Sequence, residues 1–139
     1  MKKPKIRQPH GPEWFTQNAV AKMLRAKGWL VIRLVGLSWQ YGLPDLMIFH
    51  KDFGMWFVEI KCEDHYRWTT HQRWRFPVLT EYGAGIWILT DATEEQYERL
   101  FKRPNLWDYM SEKDILTMEV VNDLIDELSD EEETFVIDN

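Results

Sequence analysis

The 139-residue sequence predicts an α/β fold in which helices flank a mixed sheet, with the element order αβββαβα. Two observations favour this fold class. Short apolar runs at residues 29–35, 46–49, 55–61 and 85–90 have the length and branched or aromatic content of strands, and helical signals precede, separate and follow them. A hydrophobic content of 45% and an aromatic content of 14% suit one domain with a buried core.

Residues 13–27 predict the first helix. Apolar side chains recur along it at helical spacing, at Phe15, Ala19, Val20, Met23 and Leu24. Gly28 follows as a natural stop. Glu13 and Gln17 lie near the start of this helix, where a carboxylate could overhang a metal ion. The alternative is that Glu13 is an ordinary first-turn glutamate, favoured by the helix dipole.

Asp45 is expected at the mouth of a strand. Pro44 disfavours helical backbone at Leu43, so the chain enters the apolar run 46–49 in an extended conformation. Turn-forming residues at 51–54 then reverse the chain, and the next apolar run returns as an antiparallel neighbour.

Side chains of the returning strand, residues 55–61, alternate between its two faces. Glu59 and Lys61 therefore share a face, and we expect Asp45 to lie beside them. Two carboxylates next to the Ile60 backbone carbonyl form a set of hard oxygen ligands, which suits Mg²⁺ or Mn²⁺ better than zinc. The alternative is a surface aspartate after a turn, with Glu59 and Lys61 as a solvated pair.

These residues resemble a known signature. Pro44-Asp45 followed by Glu59-Ile60-Lys61 is similar to the motif of the PD-(D/E)xK nuclease superfamily. Together with Gly42 and Leu43 before the aspartate, and with Gln72 downstream, they resemble its VRR-NUC (virus-type replication-repair nuclease) branch over roughly residues 12 to 101. Glu13 matches the glutamate on the first helix of that branch, where it would be a direct or water-mediated metal ligand.

The resemblance implies a restriction-endonuclease-like core and an Mg²⁺- or Mn²⁺-dependent endodeoxyribonuclease, a phosphodiester hydrolase. Asp45, Glu59 and the Ile60 carbonyl would hold the metal. Lys61 would stabilise the hydroxide or the transition state, and Gln72 would orient one oxygen. Single-domain members of the branch are associated with Holliday-junction resolution, which implies branched or four-way DNA as substrate and a homodimer.

Further elements follow downstream. Thr69 or Thr70 predicts a helix cap for residues 71–82, with Gln72 in the first turn and Pro77 as an interruption. Thr93 predicts the cap of another helix over residues 93–101.

Basic and aromatic residues predict DNA contacts in three segments. They are Lys2, Lys3, Lys5 and Arg7 in the flexible arm 1–12, Trp39 and Tyr41 in the loop before Asp45, and Arg67, Arg73 and Arg75 around the predicted helix. The alternatives are core packing for one aromatic residue and a solvated helix face for the arginines.

The net charge of −6 is unevenly distributed. Residues 114–139 contain ten acidic residues and no lysine or arginine, so residues 1–113 carry 13 acidic and 17 basic residues. The acidic tail either aids solubility, competes with phosphate for the basic surface, or docks a protein partner.

The sequence divides into a basic arm (1–12), a nuclease domain (13–103), a C-terminal helical extension (104–128) and an acidic mobile tail (129–139). Ser111 and Asp114 predict the capping pair of the extension's helix. Its apolar stripe is Ile115, Met118, Val121, Ile125 and Leu128. The stripe either packs on the domain or pairs two subunits.

Two other functions stay open: a non-catalytic DNA-binding or regulatory protein with the nuclease fold, and an interaction protein that works through its acidic C-terminus. The single cysteine, the absence of a membrane-spanning apolar run and the absence of a signal-peptide hydrophobic region favour a cytoplasmic or nuclear protein that is not secreted.

Overall fold

The computed structural model describes residues 11–34, 36, 41–117 and 119–123. They contain a four-stranded sheet of order β1-β2-β3-β4. The strands are β1 Leu30–Arg33, β2 Leu46–His50, β3 Gly54–Ile60 and β4 Ile86–Leu89. The pairs β1/β2 and β2/β3 are antiparallel and β3/β4 is parallel, so the predicted mixed sheet is confirmed.

Among the described residues, the α-helices with defined bounds are α1 Pro12–Ala26, α2 Thr70–Glu81, α3 Glu94–Glu98 and α4 Leu106–Tyr109. Single 3₁₀ turns follow α3 at Arg99–Phe101 and α4 at Glu112–Asp114. The order αβββαβα is confirmed through α3, and α4 was not predicted. Among the described residues, no helix combines the length and apolar character needed to cross a membrane.

In the part of the chain that the structure describes, buried apolar residues form two clusters, one on each face of the sheet. Val20 and Leu24 of α1 are fully buried in the cluster that contains Val58 of β3. Phe76 of α2 is fully buried in the cluster that contains Phe57 of β3. Neighbouring residues of β3 therefore enter opposite clusters, which confirms the predicted alternation. The face of Phe57, covered by α2, is also the face of Glu59.

The start of α2 is fixed by a capping box. Thr69 Oγ1 accepts a hydrogen bond from Gln72 N at 3.1 Å, and Gln72 Oε1 accepts one from Thr69 N at 3.1 Å. This reciprocal pair satisfies two backbone donors at the helix start. The predicted cap is confirmed, and it holds Gln72 in the first turn of α2.

Pro77 does not interrupt α2, so that prediction was wrong. Proline lacks an N–H, which leaves the carbonyl of Arg73, four residues earlier, without its helical donor. Leu116 N supplies the hydrogen bond to this carbonyl at 3.1 Å. Arg73 Nε in turn donates to the carbonyl of Asp114 at 2.6 Å. The chain after α4 is therefore tied along α2.

The prediction that the C-terminal helix begins at Ser111 was also wrong. Ser111 N does donate to Asp114 Oδ2 at 2.8 Å, but the pair encloses a single 3₁₀ turn. Ile115 is extended, with φ −73° and ψ 130°, because the next residue pairs with α2. Helical backbone occurs again at residues 119–123, where Val121 is buried. Met118, Ile125 and Leu128 of the predicted stripe lie outside the described residues.

We expect Gly42→Ala to lower the free energy of unfolding by about 2–4 kcal/mol, because it combines strained backbone with a clash. Gly42 has φ +71°, and a Cβ there would lie 2.5 Å from the backbone carbon of His71. Gly54→Ala is the matched control, since Gly54 has φ +82° but no neighbour within 4 Å, and should cost only about 1–2 kcal/mol. Urea unfolding measures the free energy of unfolding of both variants. Equal losses of this free energy would contradict a close approach of Gly42 to the backbone of α2.

Candidate active site

Asp45 and Glu59 tie the adjoining ends of β2 and β3 together. Asp45 Oδ2 accepts a hydrogen bond from Ile60 N at 2.8 Å, and Glu59 Oε1 accepts one from Asp45 N at 3.0 Å. In the sheet register Leu46 pairs with Val58, so the two acids lie immediately beyond that pair. The structure thus brings together the two carboxylates that the sequence placed on neighbouring strands.

Lys61 completes a buried polar cluster with Glu59 and Gln72, whose exposed fractions are 4%, 1% and 4% respectively. Lys61 Nζ lies 2.7 Å from the carbonyl of Arg67, 3.2 Å from Gln72 Oε1 and 3.2 Å from Glu59 Oε2. These contacts match the three donors of an ammonium group. Gln72 Nε2 also donates to Glu59 Oε2 at 3.0 Å. Gln72 therefore holds the acid and the amine at the same time.

Burial and neighbouring charges both shift the pKa of Glu59. Burial raises the pKa of Glu59 well above its ordinary value, and the Asp45 carboxylate raises this pKa further. Lys61 lowers this pKa through its charge and through its hydrogen bond to the carboxylate. Strong perturbation by burial together with a specific charged neighbour is common at functional sites.

Glu13, and not Gln17, is the polar residue of α1 that belongs to this environment. Burial raises the pKa of Glu13, and it interacts electrostatically with both Lys61 and Asp45. Burial raises the pKa of the Cys62 thiol, and the neighbouring Glu13 carboxylate raises it further. Gln17 Oε1 instead accepts from Arg33 on β1, from Nε at 3.0 Å and from Nη2 at 2.6 Å.

The donors at this site fit a hard divalent cation. Oxygens of Asp45, Glu59 and the Ile60 carbonyl are the ligand type that Mg²⁺ and Mn²⁺ prefer. Burial raises the pKa values of Glu59 and of the half-buried Glu13, and such a cation would stabilise the ionised forms of both carboxylates. Within the described ranges, no three histidine, cysteine, aspartate or glutamate side chains converge as a metal site.

Trp68 is a contact of the site that the sequence did not predict. Lys61 Nζ lies over the Trp68 ring, 4.4 Å from its centroid. The ring is held by a 3.4 Å hydrogen bond from its Nε1 to the carbonyl of Tyr109 and by an edge-to-face contact with Phe76. Residues 62–69 form no helix or strand, so no periodic pattern could have placed this ring.

The predicted DNA-contact residues have different environments. Arg73 donates to the carbonyls of Asp114 and Lys113, and Arg75 donates to the Tyr41 carbonyl while lying over the Trp74 ring. Tyr41 is half-buried and Arg67 is exposed. The remaining predicted contacts, Lys2, Lys3, Lys5, Arg7 and Trp39, lie outside the described residues. DNA contact by any of these residues stays a prediction.

A solved structure described as a VRR_NUC domain resembles this structure with a TM-score of 0.51. The match covers 65% of this chain and 95% of that chain, at 22% sequence identity. This chain has the VRR_NUC fold. No family model matches the sequence, and no curated protein matches it. The VRR_NUC fold confirms the predicted fold class, and the site described above lies on its two central strands, β2 and β3.

The raised pKa of Glu59 predicts that stability depends on pH. Native Glu59 keeps its proton at pH values where the unfolded chain has lost it, so its contribution to stability declines as pH rises from about 4.5 through the raised pKa. Glu59→Gln removes this titration. In chelator, the free energy of unfolding of Glu59→Gln relative to wild type should therefore increase with pH.

Urea titrations between about pH 5 and pH 8 measure this difference. Loss of the Gln72 hydrogen bond in Glu59→Gln lowers stability at every pH and does not change the trend. A difference that stays constant with pH would contradict the raised pKa.

Proposed function

We propose that this protein is an Mg²⁺- or Mn²⁺-dependent endodeoxyribonuclease that hydrolyses phosphodiester bonds. The observation that carries the proposal is the juxtaposition of the half-buried Asp45 with the buried Glu59 and Lys61 at the ends of two adjoining strands. The VRR_NUC fold supports a nuclease-type function. In this proposal Asp45, Glu59 and the Ile60 carbonyl hold the ion, and Glu13 adds a direct or water-mediated contact.

A bound ion would lower the pKa of a water molecule and neutralise charge on the phosphate. Lys61 then stabilises the negative charge that develops on the phosphate oxygens. Its two 3.2 Å contacts, to Gln72 and Glu59, are the ones a phosphate oxygen would replace, while the 2.7 Å bond to the Arg67 carbonyl keeps the ammonium in place. Gln72 positions Glu59 and Lys61 and, once released from Lys61, is available to orient an oxygen of the reacting group.

We expect Asp45→Asn and Lys61→Ala each to reduce DNA cleavage by about 100-fold or more, because each removes an interaction with the ion or the transition state. The assay compares labelled linear, flapped and four-way DNA with Mg²⁺, Mn²⁺ or chelator. Asp52→Asn and Lys51→Ala are matched controls at exposed positions of the β2–β3 turn. Undiminished DNA cleavage by purified Asp45→Asn would reject the proposed metal site. DNA cleavage by the wild-type protein in chelator would also reject it.

We further propose that the preferred substrate is branched or four-way DNA and that the active form is a homodimer. A domain of this size has little surface for reading a long sequence, which favours recognition of DNA shape. Symmetric cutting of a junction needs two active sites. The edge strand β1 offers an apolar surface for a second copy of the chain, since Leu30 is 62% exposed and Ile32 is 42% exposed.

Ile32→Lys should shift the protein toward monomer, because it places a charge in the proposed subunit contact. Sedimentation velocity at micromolar concentration, with and without four-way DNA, measures the change. The dimer dissociation constant should rise about tenfold or more, as expected when an apolar contact becomes a buried charge. A wild-type protein that stays monomeric with DNA present would contradict both the homodimer and junction resolution.

A further inference from the structure

A cavity of about 510 Å³ lies beside the segment 62–69, which carries the contacts of Lys61. Tyr66 of that segment forms part of its lining, and Tyr109 of α4 forms another part. Three cations from one stretch of chain, Arg99, Lys102 and Arg103, also line it. None of these three was among the predicted DNA contacts.

Arg99 is held in place by the protein without an acidic partner. Its Nη1 donates to the carbonyl of Ile88 at 3.2 Å and to the hydroxyl of Tyr109 at 2.9 Å. Among the described residues, Nε and Nη2 of Arg99 form no hydrogen bond, and the guanidinium has no ion pair within 4.0 Å. A guanidinium fixed at one nitrogen, with its other donors available, matches the paired oxygens of a phosphate.

Lys102 and Arg103 add charge to the same cavity. Both side chains are exposed, and neither has an ion pair in the part of the chain that the structure describes. Two exposed acids, Glu63 and Asp108, also line the cavity, but neither lies within 4.0 Å of a cationic nitrogen there. The lining therefore keeps one net positive charge. The backbone is fixed by Trp87 Nε1, which donates to the Lys102 carbonyl at 3.0 Å.

The tyrosines connect this cavity to the catalytic lysine. The rings of Tyr66 and Tyr109 lie 5.4 Å apart, and the Tyr66 hydroxyl donates to the Tyr109 carbonyl at 2.9 Å. The same carbonyl accepts from Trp68 Nε1, and the Trp68 ring lies against Lys61. A DNA strand bound in the cavity would thus lie beside the Tyr66, Tyr109 and Trp68 side chains that adjoin Lys61. The tyrosine rings would be available to stack on its bases or sugars.

We propose that this cavity binds a phosphate of the DNA backbone, away from the bond that is cut. Arg99 supplies the paired donors, and Lys102 and Arg103 supply charge. The inference rests on the proposed nuclease function for the identity of the ligand, but it concerns binding and requires neither the metal ion nor cutting. It can therefore be tested in chelator.

The test compares two double variants that lose the same charge, Lys102→Ala/Arg103→Ala in the cavity and Lys22→Ala/Lys51→Ala at exposed positions elsewhere. Fluorescence anisotropy measures binding of a labelled four-way DNA in chelator over a range of salt concentrations. The cavity variant should bind about 10- to 100-fold more weakly, and its slope of log Kd against log salt should fall by about 2. The control variant should change less than about threefold.

Arg99→Lys provides a second variant, because it keeps the charge and loses the planar pair of donors. It should weaken binding by about tenfold with a nearly unchanged salt slope. Circular dichroism verifies that it is folded. Equal affinities for the cavity variant and its charge-matched control would overturn the proposal, even for a wild type that cleaves DNA.

The outcomes separate this inference from the proposed function. Selective loss of DNA binding in the cavity variant, with a wild type that cleaves nothing in Mg²⁺, would keep the cavity assignment and reject the nuclease. A 5′-mononucleotide offered in a separate titration distinguishes a free ligand from the DNA backbone. Tight mononucleotide binding that is lost in the cavity variant, with DNA affinity unchanged, would overturn the proposal of a backbone site.

Discussion

The exchange of hydrogen bonds between Asp45 and Glu59 is the constraint around which the site is built. Each carboxylate accepts from a backbone N–H at the end of the other's strand. The acids are thus part of the framework that joins β2 to β3, and their positions are set by the sheet itself. Glu59 is also buried and has a raised pKa, so ionisation of this acid lowers the stability of the fold. Such a conflict between stability and charge is typical of functional sites.

The sequence alone was sufficient to place side chains whose positions follow from local rules of strand and helix structure. Strand alternation and Pro44 predicted that Asp45, Glu59 and Lys61 would meet, and they do. The Thr69 cap predicted that Gln72 would lie in the first turn of α2, and its side chain reaches both Glu59 and Lys61. These outcomes depend on residues close in sequence or on a single strand pairing.

The predictions that failed depended on a distant partner. Pro77 breaks a helix by local rules, but Leu116 replaces the missing donor, and no local pattern indicates that pairing. The pairing also holds Ile115 extended, so the backbone is not α-helical at the predicted start of the C-terminal helix and becomes helical again only at residues 119–123. Arg73 belongs to the same arrangement, since its guanidinium binds the Asp114 carbonyl. A basic cluster in a sequence does not reveal which of its members the protein uses for its own structure.

The pairing of Leu116 with the Arg73 carbonyl links the chain after α4 to the helix that carries Gln72. Arg73 directly follows Gln72. The carbonyl that Leu116 binds is therefore adjacent to the residue whose side chain forms hydrogen bonds with Glu59 and Lys61. A fragment that ended near residue 101, where the motif resemblance ends, would lack Leu116. The Arg73 carbonyl would then have only water as a hydrogen-bond donor. We therefore expect a fragment that ends before Leu116 to be less stable, because the Arg73 carbonyl loses its protein donor next to the helix turn that carries Gln72.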